Sequence, residues 1–382
     1  MITTKVSLIR TKPSPQVATI VEHLHHSLEL LGGVGAFAQK GARVMLKPNV
    51  GTITSPAEAR NTDPRVIEAV ILLLREFGIT DILIAESSIV GVDTQIAFAA
   101  MGLDRIARQY HAQLCDLNRE PFVTRDVPDP LLLSSIPISE RLEGIDTLVN
   151  LPKLKTISAL PVSLGLKNLK GLIPEAEKKR FHHLGLAKAL VDLGKVVAPS
   201  LTIIDGIIAS ELYEPREANL IVAGGDVLAV DAVASAAIGL PPDRIEYLRL
   251  AQEAGVGTID LKRIEICGDS LAEVQVPLRT APTASKAFAA LFPEVTIVDR
   301  NACSGCSGSL YLSLKTAKEQ GLLDRIPDLK LVVGAGVAEL PRGGRVLCLG
   351  NCTKPSSSAH HLPGCPFISI EFCDLLKTTF LG

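Results

Sequence analysis

Apolar positions along this chain fall into two alternating patterns. Short runs of β-branched and aliphatic residues occur at 43–48 (RVMLKP), 81–86 (DILIAE), 145–151 (IDTLVNL), 201–206, 219–224, 263–268, 295–300, 329–336 and 345–350. Longer stretches carry apolar residues at helical spacing, at 64–77, 93–110, 182–198, 228–238, 244–254 and 308–321. A strand buried on both faces reads as a continuous apolar run, and helices between such strands predict parallel pairing covered on both sides. The expected class is α/β, with a large parallel or mixed sheet followed by a small α/β unit. The alternation breaks over 269–294, where three prolines fall. The expected division is therefore a domain at 1–270, a connection at 271–294 and a cysteine-rich α/β domain at 295–382.

Composition narrows the function classes. Apolar residues make up 47% and charged residues 21%, which predicts a folded core and argues against disorder. The net charge of −2, with no basic tail or acidic run, gives no reason to expect nucleic acid or an anionic membrane as partner. Charges at Lys5, Arg10 and Lys12 interrupt any signal-peptide core, and the apolar run 69–74 is too short to span a bilayer. A cytoplasmic protein is expected, and its apolar content is compatible with a homo-oligomer. In a reducing compartment its eight cysteines are poor disulfide candidates, and clustered ones point to metal or redox work.

Six of the eight cysteines lie beyond residue 300. Cys303 and Cys306 form a C-x-x-C after the strand 295–300, just before a helix expected to start near Gly308. Free N–H groups at a helix start favour thiolates. Cys352 follows Gly350 and Asn351 at the end of strand 345–350. Cys365 sits between Gly364 and Pro366 in a proline-stiffened loop. Cys303, Cys306 and Cys352 would meet if the strands 295–300 and 345–350 were neighbours in one parallel sheet. Cys348 and Cys352 stand about 13 Å apart on an extended strand, so one of them drops out. Cys348, inside the apolar run 346–349, reads as buried, whereas Cys352 follows a glycine at the strand end. Cys115, Cys267 and Cys373 read as core residues. Zinc held by four cysteines, a redox dithiol and unrelated thiols are the alternatives. The wide split between Cys352 and Cys365 favours an iron–sulfur cluster over a zinc ribbon. The sequence CSGC, then GNC, then PGCP resembles the proximal-cluster pattern of nickel–iron hydrogenase small subunits. That resemblance implies one [4Fe–4S] cluster on Cys303, Cys306, Cys352 and Cys365, in a flavodoxin-like domain. Phe367 replaces the second proline of that pattern, and the interval from Cys306 to Cys352 is compressed.

The N-terminal region places polar groups at strand ends. Lys47 and Asn49 close one strand and Glu86 the next. Residues 152–174 read as a long loop carrying Lys155, Lys167, Asn168 and Lys170. His182 and His183 open a helix, and Asp205 and Asp226 follow. Lysines so placed hold a carboxylate or phosphate, a histidine moves protons near neutral pH, and the acids position a metal or hydroxyl. Plainer readings stand beside these: solvated lysines, a helix cap at Asp226, and an Asn168 that ties the loop down. At most one of two adjacent histidines faces a shared site. The series LKPN (46–49), LPKLKT (151–156), GLKNLKGLIP (165–174), HHLGLAKALVDL (182–193), LTIIDGI (201–207) and AGGDVLAVDAVA (223–234) resembles the family catalogued as domain of unknown function 362. That family resembles lactate-racemase-type proteins in fold, and its members often carry iron–sulfur motifs. The resemblance implies His182, His183 and Lys155 as catalytic candidates. It implies Lys47, Asn49, Glu86, Lys167, Asn168, Lys170 and Asp226 as substrate-binding candidates. Ile157 stands where a histidine commonly follows the Lys-Thr. The expected function is an iron–sulfur oxidoreductase exchanging electrons with a small anionic substrate, partner cofactor or redox partner. The alternatives are a non-redox isomerase or lyase with a structural zinc or cluster domain, and a non-enzymatic cluster carrier or sensor.

Overall fold

The computed structural model describes residues 4–282, 285–336, 340–353 and 359–382. The chain divides into two compact units. The first comprises Met1–Thr156, Val162–Phe181 and Ala187–Arg279, and the second Ile157–Pro161, His182–Leu186 and Thr280–Gly382. The expected connection is thus shared. Residues 271–279 belong to the first unit, a 3-10 turn at 285–290 belongs to the second, and 283–284 lie outside the described residues.

The first unit runs β1 (Thr4–Arg10), α1 (Val17–Glu29), β2 (Val44–Pro48), α2 (Pro64–Glu76), β3 (Ile82–Glu86), α3 (Thr94–Ala100), α4 (Leu103–Gln109) and β4 (Gln113–Asp116). A hairpin of β5 (Phe122–Asp126) and β6 (Ser135–Ser139) follows, then β7 (Thr147–Leu151), β8 (Lys153–Thr156), α5 (Gly165–Asn168), α6 (Glu175–Leu184) and α7 (Leu186–Val196). The order ends with β9 (Leu201–Glu211), β10 (Glu214–Gly224), α8 (Val227–Ala237), α9 (Glu246–Glu253) and β11 (Ile264–Gly268).

One sheet of nine strands carries this unit, ordered β11-β1-β10-β9-β7-β2-β3-β4, with β8 pairing β9. Strands β7, β2, β3 and β4 are parallel, and every residue of β2, β3 and β7 is buried, which matches their unbroken apolar runs. The sheet is mixed because β10 runs antiparallel to both β1 and β9. The β9–β10 turn is two residues long, Leu212 and Tyr213, both at positive φ, as a tight hairpin requires. Helix α2 starts at Pro64 after Asp63, whose side chain accepts the Arg65 N–H. Its Val66, Ile67, Val70, Ile71 and Leu74 join Val44, Leu46, Ile82 and Ile84 in the core.

Several expectations are corrected here. The single helix expected over 93–110 is broken between α3 and α4, where Gly102 adopts φ 70°. Residues 152–174 are not one loop: they form β8, α5 and a 3-10 turn over Leu169–Leu172. His182 and His183 end α6 and do not open a helix.

The second unit contains β12 (Val295–Asp299), α10 (Ser304–Glu319), β13 (Leu329–Val333), β14 (Arg345–Leu349), β15 (His360–Leu362) and α11 (Ser369–Leu376). Its four strands are parallel and follow chain order, β12-β13-β14-β15. Strand β13 separates β12 from β14, so 295–300 and 345–350 share one parallel sheet but are not adjacent, and the condition set for Cys303, Cys306 and Cys352 to meet is not fulfilled by adjacency. Nor does the order reverse after the first strand, as it would in a flavodoxin-like sheet. Helix α10 starts at Ser304, with Cys303 as its N-cap residue, four residues before the expected Gly308. Among the described residues no helix is long and apolar enough to cross a membrane.

Candidate functional site

In a parallel sheet the carboxyl ends of the strands lie on one edge, where open α/β sheets bind ligands. Lys47 near the end of β2 and Glu86 at the end of β3 pair there, Nζ to Oε2 at 2.7 Å, with both side chains sealed from solvent. Lys47 Nζ also donates to the Pro48 carbonyl at 2.8 Å. Glu86 Oε2 accepts the Val50 N–H at 3.1 Å, and Oε1 accepts the Ser87 N–H at 2.8 Å. Burial pushes the Lys47 pKa down, and its ion pair with Glu86 opposes that shift. A second sealed pair joins Lys153 Nζ to Asp205 Oδ2 at 2.8 Å, and the same oxygen accepts the Asp63 N–H at 2.7 Å.

Lys155, Lys167 and Lys178 belong to the same group, but their hydrogen bonds go to neutral oxygens. Lys155 Nζ donates to Asn49 Oδ1 at 2.6 Å and to the Arg60 carbonyl at 3.3 Å. Lys178 Nζ donates to the carbonyls of Ser87 and Ser88 and to Ser87 Oγ, at 2.8, 2.7 and 2.5 Å. Lys167 reaches only Ser163 Oγ, at 3.4 Å, among the described residues. Lys170 Nζ lies 3.5 Å from the Lys178 carbonyl. Burial lowers the Lys155 pKa to about 7, helped by the neighbouring Lys167 charge. It lowers Lys167 to about 8 and, against the pull of Glu86, Lys178 to about 8. Lys170 falls well below its usual value through burial and the charges of Lys167 and Lys178.

The segment 165–172 is fixed at both ends. At its start, buried Asp231 accepts the N–H groups of Gly165 and Leu166 at 2.6 and 3.0 Å, and burial raises its pKa to about 7. At its end, Gly171 packs on the Lys47–Glu86 pair so closely that a Cβ there would lie 1.8 Å from Glu86 Oε1. Ser87 Oγ donates to the Gly171 carbonyl at 2.8 Å. In between, Asn168 Nδ2 donates to Asn150 Oδ1 and the Lys47 carbonyl, so Asn168 does tie the segment down. Its Oδ1 is buried and has no hydrogen-bond partner among the described residues.

The structure therefore gathers Lys47, Asn49, Glu86, Lys155, Lys167, Asn168 and Lys170. It adds Lys153, Lys178, Gly171 and Asp231, which sequence reading did not single out as site residues; Lys153, Gly171 and Asp231 fall within the quoted motifs LPKLKT, GLKNLKGLIP and AGGDVLAVDAVA, and for Lys178 the signal was the density of lysines over 153–179. Asp226 is not in this group. It caps α8 and accepts the N–H groups of Leu228, Ala229 and Thr258.

His182 and His183 belong to the second unit, where they face the cysteine turn. His182 Nδ1 lies 2.8 Å from Ser304 Oγ, and the exposed His183 acts electrostatically on Cys303. Ile157 is buried in the same unit, and Ser158 Oγ donates to the Gly308 carbonyl. The Cys303 thiol is brought down to about 5 by the hydrogen bond from Cys306, aided by the N–H groups of Cys306 and Gly305. The same pairing pushes Cys306 upward, with further repulsion from Cys365 and Cys352. A Cβ on Gly350 would stand 3.3 Å from Cys306 Sγ. The turns bearing Cys352 and Cys365 are joined by Asn351 N–H to the Gly364 carbonyl at 2.9 Å and Gly364 N–H to Asn351 Oδ1 at 2.7 Å. Cys348 is fully buried on β14. Among the described residues, no three His, Cys, Asp or Glu side chains form a group arranged to hold one metal ion.

A family model described as "Domain of unknown function (DUF362)" matches residues 44–236. The thylakoid-associated protein sll1697 of Synechocystis sp. is 30% identical over 263 residues, covering 66% of this chain and 79% of that protein. The lactate racemase apoprotein from Thermoanaerobacterium thermosaccharolyticum superposes with a TM-score of 0.37 at 11% identity, covering 87% of this chain and 69% of that one. The matched span holds the whole lysine group, from Lys47 to Asp231, and the cysteine turn lies beyond it. By this match and its cyanobacterial relative, the chain belongs to the DUF362 family.

Proposed function

We propose that this protein binds a small anion, a carboxylate or a phosphate, through Lys155, Lys167 and Lys170, and acts on it as an enzyme. One observation carries the reading: Lys155, Lys167 and Lys178 share one low-exposure site in which none of them is hydrogen-bonded to a carboxylate among the described residues, and the more distant Glu86 charge leaves the pKa of Lys155 and Lys178 lowered. An ammonium group held away from water without a counter-charge is costly, and its pKa falls accordingly. Perturbed groups of this kind cluster at functional sites. A bound anion would supply the missing charge. Lys167 and Lys170 bind and orient it, the sealed Lys47–Glu86 pair holds the floor rigid, and Asn168 Oδ1 offers an acceptor to a ligand hydroxyl. Calorimetric titration with inorganic phosphate and malonate tests the reading. The wild-type chain should bind at least one of them. Lys167→Ala should weaken that binding tenfold or more, since a hydrogen bond to a charged group contributes about 1.5–3 kcal/mol. No binding by the wild-type chain overturns the reading.

A second reading concerns the cysteine turn, and it is favoured by the N–H groups of Gly305 and Cys306 directed at Cys303 and by the charges of Cys352 and Cys365 acting on Cys306. Cys303, Cys306, Cys352 and Cys365 would hold one [4Fe–4S] cluster, which supplies one-electron chemistry when bound. The protein would then be an iron–sulfur oxidoreductase that exchanges electrons with the anion or a redox partner. Gly350 leaves room for the Cys306 sulfur, and the cap position gives Cys303 the donors that stabilise thiolate. Anaerobic purification with iron, sulfide and zinc analysis tests this. Iron and sulfide in equal amounts support it. A colourless protein with zinc would instead make the cysteine turn structural and leave an isomerase or lyase reading for the lysines.

A further inference from the structure

One of the three anion-binding lysines, Lys155, has a setting that suits it to more than holding charge. Three features meet at Lys155. Like Lys167 and Lys170 it keeps partial exposure, whereas Lys47, Lys153 and Lys178 are sealed. Its two hydrogen bonds, to Asn49 Oδ1 and the Arg60 carbonyl, are what a neutral amine can donate, which leaves its lone pair unengaged. The charges acting on it are mostly positive: Lys167 first among them, then Lys153 and Lys47, with Glu86 opposing. Desolvation and neighbouring cations are the two means by which a lysine becomes a nucleophile at neutral pH.

Resting on the anion-site reading, we propose that Lys155 captures the aldehyde or ketone carbon of a small carboxylate as an imine, while Lys167 and Lys170 hold the carboxylate. The Nζ lone pair forms the N–C bond, and the carbonyl π electrons move to oxygen. That oxygen leaves as water, carrying the two protons that were on Nζ. The nitrogen then takes one proton from solvent to become the iminium. No electron is gained or lost in this step. Asn49 Oδ1 and the Arg60 carbonyl fix the direction of Nζ throughout.

The test is reductive trapping on the full chain. The protein is incubated with glyoxylate and sodium cyanoborohydride at pH 7, and the adduct is mapped by peptide mass spectrometry. Malonate, which has no carbonyl to trap, is titrated in parallel to read the anion site independently. An amine with a pKa of about 7 is half neutral at that pH, so the reactive neutral fraction of Lys155 should exceed that of exposed lysines near 10.4 by roughly a thousandfold, and its labelling should be correspondingly faster. Excess malonate should suppress the labelling. Lys155→Arg, which keeps the charge, should lose the adduct while melting at the wild-type temperature. Malonate binding with no adduct, or with label spread evenly over surface lysines, overturns the imine and leaves the anion site standing. Absence of both binding and adduct overturns the two together.

Discussion

Gly171→Ala would place a methyl carbon 1.8 Å from Glu86 Oε1 and 2.6 Å from Lys47 Nζ and Cε. Neither neighbour can swing aside. Both side chains are sealed from solvent, and Glu86 already accepts hydrogen bonds from Lys47, Val50 and Ser87. Two responses remain: the ion pair separates, or the segment 165–172 lifts away from the strand ends. Disrupting a buried pair costs about 3–5 kcal/mol, and overpacking a close-packed site costs about 1–3 kcal/mol. The substitution should therefore destabilise the first unit by about 3 kcal/mol or more. Gly51→Ala is the matched control, because its Cβ would meet only Ile89 Cγ2, at 3.4 Å, on a half-exposed side chain. That change should stay within about 0.5 kcal/mol. Hydrogen–deuterium exchange over 44–48 and 82–86 reads β2 and β3 directly. A loss of 3 kcal/mol corresponds to roughly a hundredfold faster exchange. If Gly171→Ala left these strands as protected as Gly51→Ala does, the close seating of Gly171 on the ion pair would be wrong.

Lys47→Met should cost about 3–5 kcal/mol in urea unfolding, because it strands the Glu86 carboxylate; adding Glu86→Leu should recover much of that, and a single-variant cost below about 1 kcal/mol would contradict the sealed pair. The ligand-free protein should gain stability as pH rises from 7 to 9. Lys155, Lys167 and Lys178 have folded pKa values of about 7, 8 and 8 below the usual 10.5, so the unfolded chain holds more protons across that window. The slope approaches about 1.4 kcal/mol per pH unit for each proton of difference, and a urea midpoint that falls from pH 7 to 9 would refute it. Cys303→Ser should abolish iron binding and leave the first unit folded, whereas Cys348→Ala should retain iron. Loss of iron in Cys348→Ala would move the third ligand from Cys352 to Cys348.

The parallel core was legible because β2, β3 and β7 are buried on both faces and so read as unbroken apolar runs. The β9–β10 hairpin was not, since its turn residues Leu212 and Tyr213 are neither glycine nor asparagine. Strand β8 is only four residues, two of them lysines, so nothing in its composition marked it as sheet. The lysines at strand ends could be named from sequence, but what neutralises each could not. Lys47 and Lys153 find carboxylates 39 and 52 residues away, while Lys155 finds only neutral oxygens. Asp226 looked like a ligand and is a helix cap, the plainer role its place before α8 allowed. The histidines followed helical periodicity into the wrong element: α6 ends at Leu184, where the pattern suggested a helix beginning.

The central claim is that this lysine group binds an anion and is partly deprotonated until it does. Titration calorimetry with pyrophosphate at pH 8, repeated in buffers of different ionisation enthalpy, measures both properties at once. A bound anion favours the ammonium forms of Lys167 and Lys170, so binding should take up of the order of one proton per ligand. The apparent enthalpy should then vary linearly with the ionisation enthalpy of the buffer, and Lys167→Ala should diminish the slope. Binding with no proton uptake, or no binding at all, would contradict the account.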